Sequence, residues 1–255
     1  MIEVRRGHLQ VRVAPNRNDM GEAAGAYVAD RLRAQLALIG RARVAFAAAA
    51  SQAEFLDALA SAPGIDWARV EAFQLDEYIG LELGHARSFG RWLDDHIWSR
   101  VVPGRIERMD GGAPDPEAEC RRYGALLAER AIDLALLGIG ENGHLAFNDP
   151  HAADFADPLS AKVVTLDEIA LNQQVRDGAF PSLDLVPRRA MTLTMSTILA
   201  SRAISAVVPG TQKAPAVGAA LDGPIGAACP ASALRIHPDA VLFLDEGAAS
   251  LLAGG

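Results

Sequence analysis

Two short stretches of this chain carry residue types that move protons. LDEYIG, from Leu75 to Gly80, sets Asp76 and Glu77 where an apolar run stops. A carboxylate at such a rim is partly desolvated, which raises its pKa toward a value suited to taking a proton from carbon beside a carbonyl. An Asp capping the next turn is the plainer reading of the same two acids taken alone. GIGENGHLAFNDP, from Gly138 to Pro150, is the richer stretch. Gly138, Gly140 and Gly143 let the backbone turn sharply and approach a ligand closely. His144 could serve as general acid or base near neutral pH. Asp149, five residues on, could orient that imidazole or share its proton. A tight turn around a hydrogen-bonded structural histidine fits these residues too.

A third stretch, VVPGTQKAPAV from Val207 to Val217, reads as a strand, a Pro-Gly turn and a helix opening near Lys213. Helix N-termini hold anions through free N–H groups, and a lysine adds charge. A surface lysine in a first turn is an equal alternative. No Walker pattern, dinucleotide fingerprint or GxSxG elbow occurs.

The elements that must position these residues alternate between strand and helix. VRVA from Val11 is followed by a helix of about twenty residues beginning near Gly21. RVAFAAAA from Arg43 reads as a buried strand, after which Ser51 caps a helix carrying Phe55, Leu56 and Leu59. VEAFQLDEY from Val70 reads as one strand ending in charge, with helices from Ser88 to about His96 and from Pro116 to about Arg130 behind it. IDLALLGIG, KVVTL, AMTLTM, AISAVVPG and VLFLD supply further strands. This alternation predicts an α/β fold: a doubly wound, Rossmann-like, mainly parallel sheet with helices on both faces. No repeat or linker divides the chain, so residues 1–255 are expected to form a single domain. In such sheets ligands bind outside the carboxyl ends of the strands. Ser51-Gln52, Asp76-Glu77, Glu141 to Asp149 and Thr211 to Lys213 all fall there.

Composition narrows the class without naming a reaction. The 255 residues carry a net charge of −8 and half are hydrophobic. An acidic chain without a basic cluster argues against nucleic acid as a partner. No apolar run is long enough for a membrane span, and the charged opening MIEVRRGHLQVRV does not read as a signal peptide. Cys120 and Cys229 lack metal-ligand spacing, so a reducing cytoplasm, no disulfide framework and no metal are expected.

In order, LDEYIGL, SFGRWL, LLGIGENGHLAFNDP, VPRRAMTLTM, VVPGTQKA and CPASALRIHPDAVLFLDEGA resemble the glucosamine-6-phosphate deaminase/isomerase family. The likeness runs from about Ser51 to the C-terminus. GHLAFND resembles the deaminase branch, whereas the related 6-phosphogluconolactonases typically read GHTAS here. The resemblance implies conversion of glucosamine 6-phosphate and water to fructose 6-phosphate and ammonia, with no cofactor. It implies Asp76 as the base moving a proton between C2 and C1 through an enediol, His144 in ring opening and Asp149 as its support. Asn142 stands where many members have an aspartate. Ser51, Gln52, Gly140, Gly143 and Lys213 are expected to bind a small-molecule sugar phosphate, with Arg176, or Gln174 in its place, as a phosphate ligand.

Two departures carry expectations of their own. Asp149 replaces the family's glutamate, which leaves room for a bridging water in the relay. The loop Ala47 to Ala50 replaces a Thr-Gly or Gly-Gly pair. Alanine resists positive φ and keeps a Cβ where a phosphate oxygen would approach, so a weak hold on the 6-phosphate is expected. A lactonase-type hydrolase and a catalytically weak sugar-phosphate sensor are the alternatives on the same fold. Some bacterial members are hexamers activated by an anionic sugar phosphate through basic residues just after the catalytic loop. The matching stretch here, His151 to Leu166, is acid-rich with Lys162 as its one Lys or Arg. A homo-oligomer is left open, and unactivated kinetics are expected.

Overall fold

The computed structural model describes residues 1–252. Its larger sheet contains β1 (Ile2–Arg6), β2 (Leu9–Ala14), β3 (Ala42–Phe46), β4 (Val70–Gln74), β6 (Arg105–Glu107), β7 (Leu134–Leu137), β10 (Ala203–Val208) and β11 (Ala240–Asp245). Their order is β1-β2-β11-β10-β7-β3-β4-β6, and only the β1–β2 pair is antiparallel. β3, β7, β10 and β11 are buried at every position, as strands covered on both faces must be. Alternate residues feed two cores. Val44, Phe46, Leu134 and Leu136 pack on one side with α1 (Arg17–Ile39) and α2 (Ala53–Ser61). Ala45, Phe73, Ala135 and Leu137 pack on the other with α5 (Pro116–Ala128) and α8 (Ala214–Asp222). The chain winds outward from β3 in one direction and from β7 in the other. Their adjacent carboxyl ends form the topological switch point, where a ligand crevice opens.

VEAFQLDEY is two strands rather than the one expected. The main-sheet strand stops at Gln74, and β5 (Asp76–Tyr78) pairs antiparallel with β9 (Arg189–Leu193), Asp76 opposite Thr192. KVVTL and AMTLTM belong to this second sheet, in which β9 lies between β5 and β8 (Ala161–Thr165). Buried Leu75 makes the break: its N–H still donates to Phe46 of the main sheet, while its carbonyl accepts from Leu193 of the small one. One residue thereby hands the chain between sheets and carries Asp76 over the crevice.

The helix ends explain the remaining differences. α1 starts at Arg17, earlier than expected, because Asn16 caps it by accepting from the Asp19 N–H. Ser51 does not cap α2. It lies inside a 3₁₀ turn, Ala50–Gln52, and its hydroxyl accepts from Gln52 Nε2 at 3.1 Å. Ser88 does cap α3 (Phe89–Leu93), which runs on through a π-turn into α4 (Ser99–Val101), and Thr194 caps α7 (Met195–Leu199). No helix among the described residues is long and apolar enough to cross a membrane.

Candidate active site

A cavity of about 510 Å³ opens at the switch point. Its floor is the loop after β3 and the start of the glycine-rich loop after β7. Its walls are the segments Ala86–Phe89 and Gln173–Ala179, and Asp76, His144 and Lys213 reach into it.

Successive strand residues face opposite ways, and this separates the two acids. Glu77 turns from the cavity and accepts from the N–H groups of Tyr78, Phe89 and Gly90 and from Gln74 Nε2, all within 3.1 Å. Burial raises its pKa, and these bonds oppose the rise. Asp76 lines the cavity, is only 8% exposed, and receives no donor on its carboxyl among the described residues. Burial, then the neighbouring Glu77 charge, pushes it well above an ordinary aspartate. Packed behind them is Tyr78, whose ring lies 4.6 Å from that of Phe89, 5.3 Å from Phe180 and 5.5 Å from Phe147.

The glycine-rich loop delivers His144. Gly140 donates to the His144 carbonyl at 3.0 Å, and a Cβ on Gly140 would stand 2.1 Å from His144 Cε1, so the imidazole lies directly on that glycine. Nδ1 meets Asn142 Oδ1 at 2.7 Å and Asp149 Oδ1 at 3.0 Å. With two acceptors around it, Nδ1 carries the proton and Nε2 is left as the basic nitrogen. The expected bridging water is not needed. The turn from Leu145 to Asn148 brings Asp149 back against the ring, which the shorter side chain then reaches directly. Asp149 is fully buried. Burial would raise its pKa, but the bonds from His144, Asn142 and the Asp167 N–H hold it below the ordinary value.

Asn142 lies outside the cavity lining and acts as a clamp. Its amide donates to Asp149 at 2.9 Å and Asp167 at 2.6 Å while its oxygen faces His144. The sequence reading missed Asp167, although an Asp directly before a helical run is the ordinary sign of an N-cap, and it caps α6 (Glu168–Arg176). Asp149, His151 and Asp167 form the one group among the described residues with metal-ligand proximity. The two acids accept from Asn142, and His151 Nε2 lies 2.9 Å from the Thr165 carbonyl.

Lys213 lines the same cavity from the turn that leads into α8. It is 3% exposed, and its ammonium makes no hydrogen bond or ion pair among the described residues. Burial lowers its pKa, partly offset by Asp177 and Glu141. Ser51 and Gln52 line it too, with Gln52 Nε2 anchored to the Val207 carbonyl at 3.0 Å. No residue from Ala47 to Gln52 has positive φ, so the alanines fit this loop without strain; they change it by lining it with methyl groups.

Two expected ligands fall elsewhere. Arg176 is outside the lining, exposed and ion-paired with Glu141, because the last turn of α6 points it at that acid. Gly143 is also outside. It has φ +84, and a Cβ there would come 2.6 Å from Cys229 Sγ, so its glycine answers a packing need. Arg87, Gln173, Gln174 and Asp177 do line the cavity, Arg87 bonding the Ala179 carbonyl at 2.7 Å across the mouth. Gln174 was expected as the alternative to Arg176, and Gln173 and Asp177 bound the segment where that ligand was expected; Arg87 was not foreseen.

Comparison with known proteins gives the family and the fold. The family model for glucosamine-6-phosphate isomerases/6-phosphogluconolactonase matches residues 15–243. A glucosamine-6-phosphate deaminase of Arthrobacter sp. (strain FB24) is 37% identical over 236 residues, 89% of this chain and 88% of that one. The solved structure of a monomeric glucosamine-6-phosphate deaminase is 32% identical with a TM-score of 0.87, covering 94% of this chain and 99% of the other. The 6-phosphogluconolactonase of Trypanosoma brucei, at 18% identity and a TM-score of 0.77 over 95% of this chain and 98% of that one, shares the fold.

Proposed function

The chain belongs to the glucosamine-6-phosphate isomerase/6-phosphogluconolactonase family, and we propose that within it the protein is a deaminase, releasing ammonia from glucosamine 6-phosphate and yielding fructose 6-phosphate. The observation that carries this reading is the bare, buried carboxyl of Asp76 in the same cavity as the imidazole of His144. In this scheme His144 Nε2 exchanges the ring-oxygen proton and opens the pyranose, its Nδ1–H held by Asp149 and Asn142. Asp76 then takes the proton from C2 and returns it to C1 through an enediol-type intermediate in which C2 bears the nitrogen. The resulting C2 imine adds water and gives the ketone and ammonia. A base poised above the usual carboxylate range has the driving force for this step. Lys213 and the start of α2 would hold the distal anionic group, turning remote binding into orientation.

The deaminase relatives and the HLAFND loop favour this over lactone hydrolysis, and the reaction fits a cytoplasmic enzyme. Purified protein given glucosamine 6-phosphate should release ammonia and fructose 6-phosphate in equal amounts, with no 6-phosphogluconolactone hydrolysis above the uncatalysed rate. Lactone hydrolysis without ammonia release would reverse the assignment.

A further inference from the structure

Lys213 is not the only charged side chain in the cavity. Asp177 also lines it. It is held in place three ways: its N–H donates to the Gln173 carbonyl at 2.8 Å, its Oδ2 accepts from Gln173 Nε2 at 3.1 Å, and Arg87 ties the following Ala179 across the mouth. Asp177 is also the C-cap of α6, where the helix dipole already presents negative charge. An acid at that position is electrostatically unfavourable for the helix, and here it is aimed into the ligand space. The charged and titratable groups that share this region are Lys213 from the turn before α8, Glu141 from the loop after β7, Arg176 on its own helix, Arg87 on the facing segment, and Tyr78 and Asp76 on β5. Arg176 and Glu141 satisfy each other. That leaves Lys213 and Asp177 as one donor and one acceptor in the same cavity lining, which is balanced overall: Arg87 and Lys213 against Asp76 and Asp177.

We propose that Asp177 is a specificity-determining residue, which with Lys213 accepts the substrate's distal group when that group still carries an O–H and disfavours the fully ionised phosphate. Lys213 donates to an oxygen of the group while Asp177 accepts its hydrogen. A hydroxyl or a singly ionised phosphate satisfies both, whereas a doubly ionised phosphate meets Lys213 but is repelled by Asp177 and the end of α6. The inference rests on the amino-sugar reading and deepens it by naming the ionisation state of the substrate.

The test compares KM for glucosamine 6-phosphate with KM for glucosamine between pH 5.5 and 8, in the wild type and in Asp177→Asn. Asn keeps an acceptor for Gln173 and is itself tolerated at helix ends. Taking the ratio of the two substrates cancels the titration of Asp76 and His144. Phosphate monoesters lose their second proton near pH 6. In the wild type the ratio should therefore rise about tenfold per pH unit above that point, and in Asp177→Asn it should stay within about twofold. A flat or falling wild-type ratio, or equal slopes in both proteins, overturns the proposal. Calorimetry with 2-amino-2-deoxyglucitol 6-phosphate, which cannot react, measures the same slope in affinity. If neither sugar releases ammonia, the deaminase reading fails, and the calorimetric slopes still decide the role of Asp177.

Discussion

Asp76 and Glu77 are consecutive residues of one three-residue strand with opposite fates: Glu77 accepts four hydrogen bonds, and Asp76 accepts none among the described residues. The first acid is thereby left free to react, and the second fixes the backbone that aims it. Tying Phe89 and Gly90 to β5 through Glu77 also sets the wall of the cavity from which Arg87 reaches across.

This division predicts a trade between activity and stability. Asp76 is raised in the folded state above its ordinary value of 3.8, so the native protein binds the proton more tightly than the unfolded chain. Its contribution to stability is favourable at low pH and is lost as pH rises through the folded pKa. Asp76→Asn removes that loss and should melt at a higher temperature than wild type at pH 8, by about 2–4 °C per kcal/mol gained. At pH 4 the difference should shrink. Calorimetric melting at both values checks this, and an Asn variant that melts lower at pH 8 would mean the carboxylate is stabilised by contacts of its own.

Glu77 should behave differently. Glu77→Gln turns one acceptor oxygen into an amide donor facing the Gly90 N–H and Gln74 Nε2, or else those of Tyr78 and Phe89, at a cost of about 1.5–3 kcal/mol for the charge-assisted bonds weakened. It also removes the like charge that helps to raise Asp76. The acid limb of kcat/KM should therefore move to lower pH in this variant, together with a lower denaturation midpoint. A destabilised variant with an unmoved limb would separate the two acids electrostatically.

The His144 cluster predicts a substrate-dependent defect. His144→Gln should slow turnover of the cyclic sugar by about 10²–10⁴-fold while affecting an open-chain substrate less. Asp149→Asn should show the same pattern, because it removes the negative charge beside the Nδ1–H of His144. Equal losses on both substrates would place His144 after ring opening.

Much of this site was legible in the sequence, and what was missed follows from what a sequence omits. Asp76, His144, Asp149 and Lys213 sit at strand ends or in turn chemistry that can be read residue by residue. The break at Leu75 could not be, because an apolar run looks the same whether or not it changes sheets. Arg176 was misplaced because its direction depends on the phase of α6 and on Glu141, 35 residues earlier. Arg87 and Asp177 join the cavity only through tertiary packing, with no local pattern to mark them.

Regulation is predicted from a residue already spent. Lys162, the one Lys or Arg between His151 and Leu166, donates to the Ala152 carbonyl and to Asp157 at 2.6 and 2.8 Å. An anionic effector would find no free cation in this stretch. Rates should be hyperbolic in substrate and unchanged by N-acetylglucosamine 6-phosphate. Sigmoidal rates that this sugar phosphate makes hyperbolic would show an activating site elsewhere.

The role of Asp76 as the base of an amino-sugar deaminase is tested most directly by ammonia release from glucosamine 6-phosphate, measured in parallel for wild type and Asp76→Asn. Wild type should form ammonia and fructose 6-phosphate in equal amounts. The variant should still bind the reduced, unreactive 6-phosphate while losing about 10²–10⁴-fold in turnover. A wild type that releases no ammonia, or a variant that keeps more than about a tenth of the wild-type rate, would contradict it.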